Sequence, residues 1–138
     1  MREPAGLLDL KRASARIGAD PLLIQAAGGN TSLKDGAAMW IKASGTALAE
    51  ALAREIFVAL DLEAIRAALD SGDPRADQPA AFALRSEGLR PSIETSLHAV
   101  FAQRVVLHVH SVDALALVVC ADAREKLAER LGGFDWVF

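Results

Sequence analysis

The sequence has a single cysteine, Cys120, so an internal disulfide cannot form. It also lacks an apolar run of membrane length and a signal-peptide pattern, which predicts a cytoplasmic protein without a membrane partner. Basic residues are not in excess, since 15 basic and 18 acidic side chains give a net charge of -3. That balance argues against nucleic acid and anionic membranes as partners. The 52% of hydrophobic and 24% of charged residues suit one compact domain with a core.

Histidine is scarce too, and two of the three histidines occur together in the segment Arg104 to His110. This segment is rich in β-branched residues and alternates, so a strand would place Val106, His108 and His110 on one face. Two neutral imidazoles on one strand suit chelation of a divalent ion, whereas burying them without partners would cost about 1–3 kcal/mol each. The pair is therefore interpreted as metal-ligating. For His98, which stands alone, a satisfied core position is the favoured interpretation.

The segment that precedes these histidines has a helical pattern of apolar residues. Pro91 suits a first turn, and the spacing i, i+4, i+7 and i+8 predicts a core-facing stripe made of Ile93, Leu97, Val100 and Phe101. Glu94 and His98 lie one turn apart beside the stripe. The free backbone N–H groups of the first turn, beside Ser92, are a natural site for an anion such as phosphate.

A loop of small and hydroxylated residues, Ala43-Ser44-Gly45-Thr46, follows a predicted hairpin. The hairpin is indicated by Asp35-Gly36 between the strands Thr31–Lys34 and Ala38–Lys42. The loop hydroxyls can donate to an oxyanion, yet such residues commonly cap a following helix, here Leu48–Arg54. The residues alone leave both interpretations open.

The rest of the chain is predicted to supply packing elements. The turn Gly28-Gly29-Asn30 lacks the spacing and the lysine of a P-loop, and it does not match a dinucleotide fingerprint. The other predicted elements are a helix Pro4–Arg16 ended at Gly18, a buried strand Phe57–Leu60, a helix Leu62–Leu69 capped by Asp61, a surface loop Ser71–Pro79, a helix from Ser111 or Asp113 to Val119, and a helix from Asp122 through Leu131 ended by Gly132-Gly133.

Three segments, GGNTSLK, MWIKASGT and RPSIETSLHAVFAQRVVLHVHS, resemble the class II aldolase/adducin family. The resemblance covers most of the chain from Gly28 onward. Within the family, the segments GGNTS, KASGT and RPSIET are most similar to the aldolase domain of the bifunctional rhamnulose-phosphate aldolase/lactaldehyde dehydrogenase type. It implies a three-layer α/β/α domain around a mostly antiparallel sheet. It also implies a homo-oligomer, usually a tetramer, with active sites at subunit interfaces.

The resemblance further implies roles for individual residues. Glu94 would be the catalytic acid/base, and His108 and His110 would hold zinc or another divalent metal. The phosphate of a sugar phosphate would be bound by Asn30, Ser44, Gly45 and Ser92. One departure weakens the phosphate assignment, because the family often has a second hydroxyl residue where this chain has Ile93.

The end of the sequence bears on the metal. The apolar run Phe134–Phe138 has the pattern of the start of another strand, and no histidine follows His110. Family members supply a third metal histidine from a part beyond this point, so residues 1–138 are expected to be an incomplete domain that holds metal loosely. Three functions stay open: a metal-dependent aldolase acting on a phosphorylated ketose, an epimerase or dehydratase acting on a sugar phosphate, and a non-catalytic adducin-like domain.

Overall fold

The computed structural model describes residues 3–130 and Gly133, and its centre is a five-stranded sheet. The strands are β1 Asn30–Asp35, β2 Ala38–Lys42, β3 Phe57–Asp61, β4 Ala83–Arg85 and β5 Val105–His108. They are ordered β4-β3-β2-β1-β5, and every neighbouring pair is antiparallel. The helices are α1 Leu7–Gly18, α2 Leu62–Ser71, α3 Thr95–Val100, α4 Val112–Val118 and α5 Ala123–Arg130, with short 3₁₀ helices at Leu48–Glu50, Pro74–Asp77 and Pro79–Phe82.

Helices cover both faces of the sheet because its central strands are apolar on both sides. On β2, Trp40 packs in one cluster with Leu7 and Leu10 of α1. The next side chain along, Ile41, points to the opposite face and packs in a second cluster with Ile65 of α2. Each cluster buries apolar side chains between a sheet face and its helices. The predicted three-layer α/β/α arrangement around an antiparallel sheet is confirmed.

The hairpin forms where the sequence predicts it. β1 and β2 pair with Asp35 opposite Ala38, and the turn residue Gly36 has a φ of 56°. Side chains rarely tolerate this left-handed conformation, so a glycine here favours the tight turn. The hairpin fixes the register that carries Asn30 to one end of β1 and Lys42 to the neighbouring end of β2.

Two predicted helix boundaries differ from the structure. Helix α1 continues through Gly18, where a Cβ atom would lie 2.3 Å from the backbone nitrogen of Ala49. Glycine is needed there for this close approach rather than as a helix stop. The predicted helix Leu48–Arg54 is only a three-residue 3₁₀ helix, and Ala47 at its N-cap gives no side-chain hydrogen bond. Thr46 instead donates its hydroxyl to the Ala43 carbonyl, so the loop residues do not cap that helix.

The predicted core-facing stripe before the histidines is wrong. Helix α3 starts only at Thr95, and Pro91 lies outside it in an isolated bridge with Ala43. The residues that α3 buries are Thr95, His98 and Ala99. The stripe faces outward, and its members expose between 44% and 86% of their surface: Ile93, Leu97, Val100 and Phe101. The cause is the polar sheet surface beneath α3, which matches a hydroxyl and an imidazole better than leucine or valine.

The remaining predicted elements form close to their predicted limits. Asp61 caps α2 by accepting a hydrogen bond from the Ala64 N–H at 2.9 Å, and Ser111 caps α4 in the same way at 3.4 Å. The predicted surface loop Ser71–Pro79 contains 3₁₀ turns. The predicted strand start Phe134–Phe138, together with Leu131 and Gly132, lies outside the described residues. Within the described part of the chain, no helix is long and apolar enough to cross a membrane.

Candidate active site

The candidate site lies on one face of the β1–β5 pair. The two strands pair with Asn30 opposite His108 and Ser32 opposite Val106. Because directly opposite residues share a sheet face, Asn30, Ser32 and His108 project to the same side, under α3. This arrangement brings the Gly-Gly-Asn turn, the histidine strand and the helix carrying His98 to one place.

Three titratable side chains converge there. Glu94, His98 and His108 each present a possible ligand atom, and these atoms lie within 4.8 Å of one another. His108 Nδ1 is 2.9 Å from Glu94 Oε1. The predicted acid/base residue and the first predicted metal histidine are thus in direct proximity. His98, which sequence reasoning assigned to core packing, is the third member of the cluster.

The environment of His98 favours a neutral imidazole. The residue is fully buried, and its Nδ1 is 2.8 Å from Ser32 Oγ. Burial lowers its pKa to about 4, with His108 and Lys34 acting in the same direction and Glu94 opposing them. When Nδ1–H donates to Ser32, the Nε2 atom keeps a free lone pair. The helical spacing of Glu94 and His98 was the available sequence signal for this role.

Two imidazole nitrogens in the cluster fit a metal ion. His98 Nε2 and His108 Nδ1 are buried and make no hydrogen bond within the described residues. The 2.9 Å contact of His108 with Glu94 therefore has ion-pair distance without hydrogen-bond geometry. An unpartnered buried nitrogen costs about 1–3 kcal/mol, and coordination to a divalent ion would remove that penalty for both atoms. The donor set of one carboxylate and imidazoles is one that catalytic zinc accepts.

His110, the second predicted metal ligand, lies just beyond the end of β5. Its ring centroid is 5.0 Å from that of His108, in an edge-to-face arrangement. Its backbone N–H donates to the Leu23 carbonyl, which fixes the chain after the strand. The structure therefore places the two predicted histidines side by side, while the three-residue cluster is completed by His98.

Glu94 is held as a carboxylate. Burial alone would raise its pKa, but the Asn30 amide, His108 and His98 outweigh burial and lower the pKa of Glu94 below its usual value. The side chain retains 27% of its exposure. A charged and partly accessible carboxylate beside an imidazole can accept a proton from a bound molecule.

The predicted phosphate residues Asn30 and Ser92 touch each other. Asn30 Nδ2 donates to Ser92 Oγ at 2.7 Å, and the Glu94 N–H donates to the same oxygen at 3.2 Å. The Thr95 N–H donates to the Ser92 carbonyl at 3.2 Å. Two of the N–H groups predicted to be free beside Ser92, those of Glu94 and Thr95, therefore bond to the serine itself. Asn30 Oδ1 is buried and unpartnered within the described residues.

Ser44 and Gly45 reach this region through the bridge between Ala43 and Pro91. The Ser44 N–H donates to the Arg90 carbonyl at 2.8 Å, which ties the Ser44 loop to the segment that leads to Ser92. Gly45 has a φ of 76°, and a Cβ atom there would meet no other atom within 4 Å. The loop backbone is open to an approaching molecule at this point.

Two buried lysines that sequence reasoning missed hold the surrounding segments. Lys42 Nζ donates to the carbonyls of Ala27 at 2.9 Å and Thr46 at 2.8 Å, and so connects the turn before Asn30 with the Ser44 loop. Burial lowers the pKa of Lys42, while Glu94 opposes that shift. Lys34 Nζ donates to the carbonyls of Phe101 and Gln103 at 2.6 and 2.9 Å, beyond the end of α3. A lysine within an otherwise apolar strand was the signal that could have revealed them.

Comparison with known proteins adds a family and a fold. Residues 11–133 match the Class II Aldolase and Adducin N-terminal domain. The chain is 34% identical to "Uncharacterized oxidoreductase YuxG" from Bacillus subtilis (strain 168) over 149 aligned residues, 97% of this chain and 21% of that protein. It is also similar to a structure of the N-terminal Class II Aldolase domain of a conserved protein from Thermoplasma acidophilum, with a TM-score of 0.73, 24% identity, and coverage of 94% of this chain and 66% of that one. This chain thus spans about a fifth of the Bacillus protein.

Proposed function

Because the chain belongs to the class II aldolase and adducin family, we propose that it is a metal-dependent aldolase that cleaves a phosphorylated ketose. The observation that carries the proposal is the cluster in which the Glu94 carboxylate lies 2.9 Å from His108 Nδ1, beside a second buried imidazole. A purely structural domain has no need of a charged carboxylate and two unpartnered imidazole nitrogens in one place.

The metal would be zinc or another divalent ion, held by His108 and His110 as the family resemblance implies, with His98 Nε2 available as a further nitrogen. Its chemistry, when bound, is to polarise the ketose carbonyl and stabilise the negative charge of the enediolate. Ser32 holds the His98 ring in place through Nδ1. Such a partner fixes the orientation and basicity of a ligating imidazole.

Glu94 would transfer the proton. Its carboxylate takes the proton from the substrate hydroxyl next to the scissile carbon–carbon bond, and the bond electrons pass to the carbonyl as the bond breaks. The aldehyde leaves, and the proton is returned to the enediolate carbon to give the second carbonyl product. The lowered pKa of Glu94 favours the carboxylate form, which is the form that a base requires.

Asn30, Ser44, Gly45 and Ser92 would bind the substrate phosphate. Ser92 Oγ already accepts hydrogen bonds from Asn30 Nδ2 and the Glu94 N–H, so its own proton is free to be donated. Because Glu94 follows Ser92 by two residues, a phosphate held at Ser92 would keep the reacting carbons beside the carboxylate. This supports a ketose carrying its phosphate near the reactive carbonyl.

We further propose that the domain belongs to the bifunctional rhamnulose-phosphate aldolase/lactaldehyde dehydrogenase type. The Bacillus relative is named an oxidoreductase, and this chain spans 21% of it, which leaves room for a separate redox domain in that protein. Rates of cleavage of rhamnulose 1-phosphate and fuculose 1-phosphate would test the assignment. A preference for fuculose 1-phosphate would contradict it.

We also propose that copies of the chain associate, as the resemblance implies. Exposed apolar side chains of α3, of β5 and of the residues directly after them border the His98 and His108 site: Leu97, Phe101, Leu107 and Val109. Exposed apolar surface of this kind marks interaction sites in soluble proteins. Sedimentation velocity should show a tetramer, and a monomer at all concentrations would contradict this proposal.

The decisive variant for the lyase function is Glu94→Gln, which keeps the shape of the side chain and removes its charge. Retro-aldol cleavage of ketose 1-phosphates by the zinc-loaded protein should fall about 10²–10⁴-fold, the usual contribution of general acid/base catalysis. Glu63→Gln, an exposed glutamate in the first turn of α2, is the matched control and should keep full activity. Unchanged turnover in Glu94→Gln would refute the assignment.

A further inference from the structure

Arg90 lies against the proposed phosphate loops. Its carbonyl accepts the Ser44 N–H at 2.8 Å, and its Nη2 donates to Ser44 Oγ at 3.4 Å. Backbone and side chain of one residue therefore meet the same loop. Pro91 follows directly and pairs with Ala43, which fixes the direction in which the chain continues to Ser92.

The guanidinium of Arg90 has no carboxylate partner within the described residues. Five other arginines do lie at ion-pair distance from a carboxylate: Arg12, Arg54, Arg75, Arg85 and Arg104. The side chain of Arg90 hydrogen-bonds a neutral hydroxyl instead. An exposed, always charged group with free donors is thus left beside the hydroxyl of Ser44, on the residue two positions before Ser92.

The loops need a positive charge if they are to bind a dianion. The ammonium group of Lys42 donates to the carbonyls of Ala27 and Thr46, so it serves the protein backbone. Ile93, directly after Ser92, exposes 86% of its surface and offers no donor. Of the nearby side chains that the structure describes, Arg90 is the cation that can face a ligand.

We propose that Arg90 is a binding residue for the phosphate monoester dianion, acting with the hydroxyls of Ser44 and Ser92. This inference rests on the proposed function for the position of the anion at these loops. The planar guanidinium matches two phosphate oxygens, and charge-assisted hydrogen bonds of this kind are stronger than those of the hydroxyls. Both serine hydroxyls accept hydrogen bonds from the protein, which leaves their protons free for the same anion.

The test is a calorimetric titration of the chain with inorganic phosphate, comparing wild type with Arg90→Met and Arg90→Lys. Arg90→Met should weaken phosphate binding about 10- to 100-fold, the usual effect of losing charged hydrogen bonds. The phosphate affinity of Arg90→Lys should lie between those of wild type and Arg90→Met, because an ammonium keeps the charge but lacks the planar arrangement of donors. Arg12→Met, an exposed arginine on α1 with the same change in net charge, is the control and should bind like wild type.

Two outcomes would overturn the inference. One is equal phosphate affinity in Arg90→Met and wild type, together with reduced phosphate affinity in Ser92→Ala. The other is a wild-type protein whose phosphate titration does not saturate. Substrate kinetics separate this inference from the lyase proposal. With a ketose 1-phosphate, Arg90→Met should raise KM strongly, whereas the control Arg12→Met should leave KM unchanged. Absence of any cleavage would refute the lyase function, and the phosphate titration would still decide the role of Arg90.

Discussion

The same face of the sheet is apolar on its central strands and polar toward the β5 edge. On β2 and β3 this face carries four fully buried apolar side chains: Met39, Ile41, Val58 and Leu60. On β1 it carries three buried polar ones: Asn30, Ser32 and Lys34. The helices above differ in the same way, since α2 offers Leu62 and Ile65, whereas α3 offers Thr95 and His98. The helical layer that covers this face thus forms hydrophobic core over β2 and β3, and it forms the candidate site over β1.

The polar part is almost, but not completely, satisfied. Ser32 pairs with His98, and Lys34 donates to two carbonyls beyond α3. Within the described residues, the unpartnered buried side-chain atoms are Asn30 Oδ1, His98 Nε2 and His108 Nδ1, and all three are here. Unpartnered buried groups lower stability. The contrast indicates that burial of the apolar part stabilises the fold. The polar part lowers stability, because it keeps buried atoms unpaired and so available to ligands.

The largest effect is expected in the apolar part. Leu60→Ala removes a fully buried side chain from the cluster under α2 and should lower the free energy of unfolding by about 2–5 kcal/mol. Urea denaturation followed by circular dichroism would measure the loss. Zinc and phosphate affinity, measured where the variant is still folded, should be unchanged. A loss of ligand affinity without a loss of stability would contradict the distinction between a stabilising apolar part and a ligand-binding polar part.

The polar part should instead respond to pH. The pKa of His98 is about 4 in the folded protein, compared with an ordinary value of 6.5, so below 6.5 the unfolded chain binds a proton that the folded chain does not. The free energy of unfolding should therefore fall by about 3 kcal/mol as the pH drops from 6.5 to 4, and it should become independent of this residue about one pH unit above 6.5.

Urea denaturation of the chelator-treated protein at several pH values would measure this fall. His98→Asn keeps a polar partner for Ser32 and should remove that part of the pH dependence, whereas His110→Asn should retain it. The same slope in wild type and His98→Asn would contradict the predicted titration of His98.

The two buried lysines sharpen the comparison further. Lys42→Met and Lys34→Met each leave two backbone carbonyls without their ammonium partner, so both should lose about 1–3 kcal/mol of stability. Of the two lysines, it is Lys42 that connects the turn before Asn30 with the Ser44 loop. Phosphate titration should therefore show weaker binding in Lys42→Met and unchanged binding in Lys34→Met. Equal phosphate affinity in the two variants would contradict the role given to Lys42.

The sequence predicted the apolar part well, for identifiable reasons. Strand β3 and the β1–β2 hairpin follow from short apolar runs and the Asp35-Gly36 turn, and these are local signals. Asp61 predicts the start of α2 because a carboxylate can cap free N–H groups. Such features depend on neighbours in the sequence, so the chain alone is enough to find them.

The polar part was predicted only in outline. The H-x-H spacing indicated His108 and His110, yet the apolar spacing from Ile93 to Phe101 predicted the wrong buried face for α3. That error arose because the surface under α3 is polar, which depends on β1, far away in sequence. The core position predicted for His98 is confirmed by its full burial and its contact with Ser32, but the unpartnered Nε2 atom was not predictable from local pattern. The contact between Arg90 and Ser44 depends on the Ala43–Pro91 bridge, which no local pattern reveals.

The central claim is that the polar part of the sheet is a metal-dependent site that includes His108, which belongs both to the predicted His108–His110 pair and to the cluster with Glu94 and His98. A competition titration with a zinc chelator, comparing wild type with His108→Asn, tests it most directly and needs no substrate. We expect the wild type to bind one zinc per chain loosely, and zinc affinity at least about tenfold weaker still in His108→Asn, because a direct ligand is lost. Zinc affinity that is the same in both proteins would contradict the account.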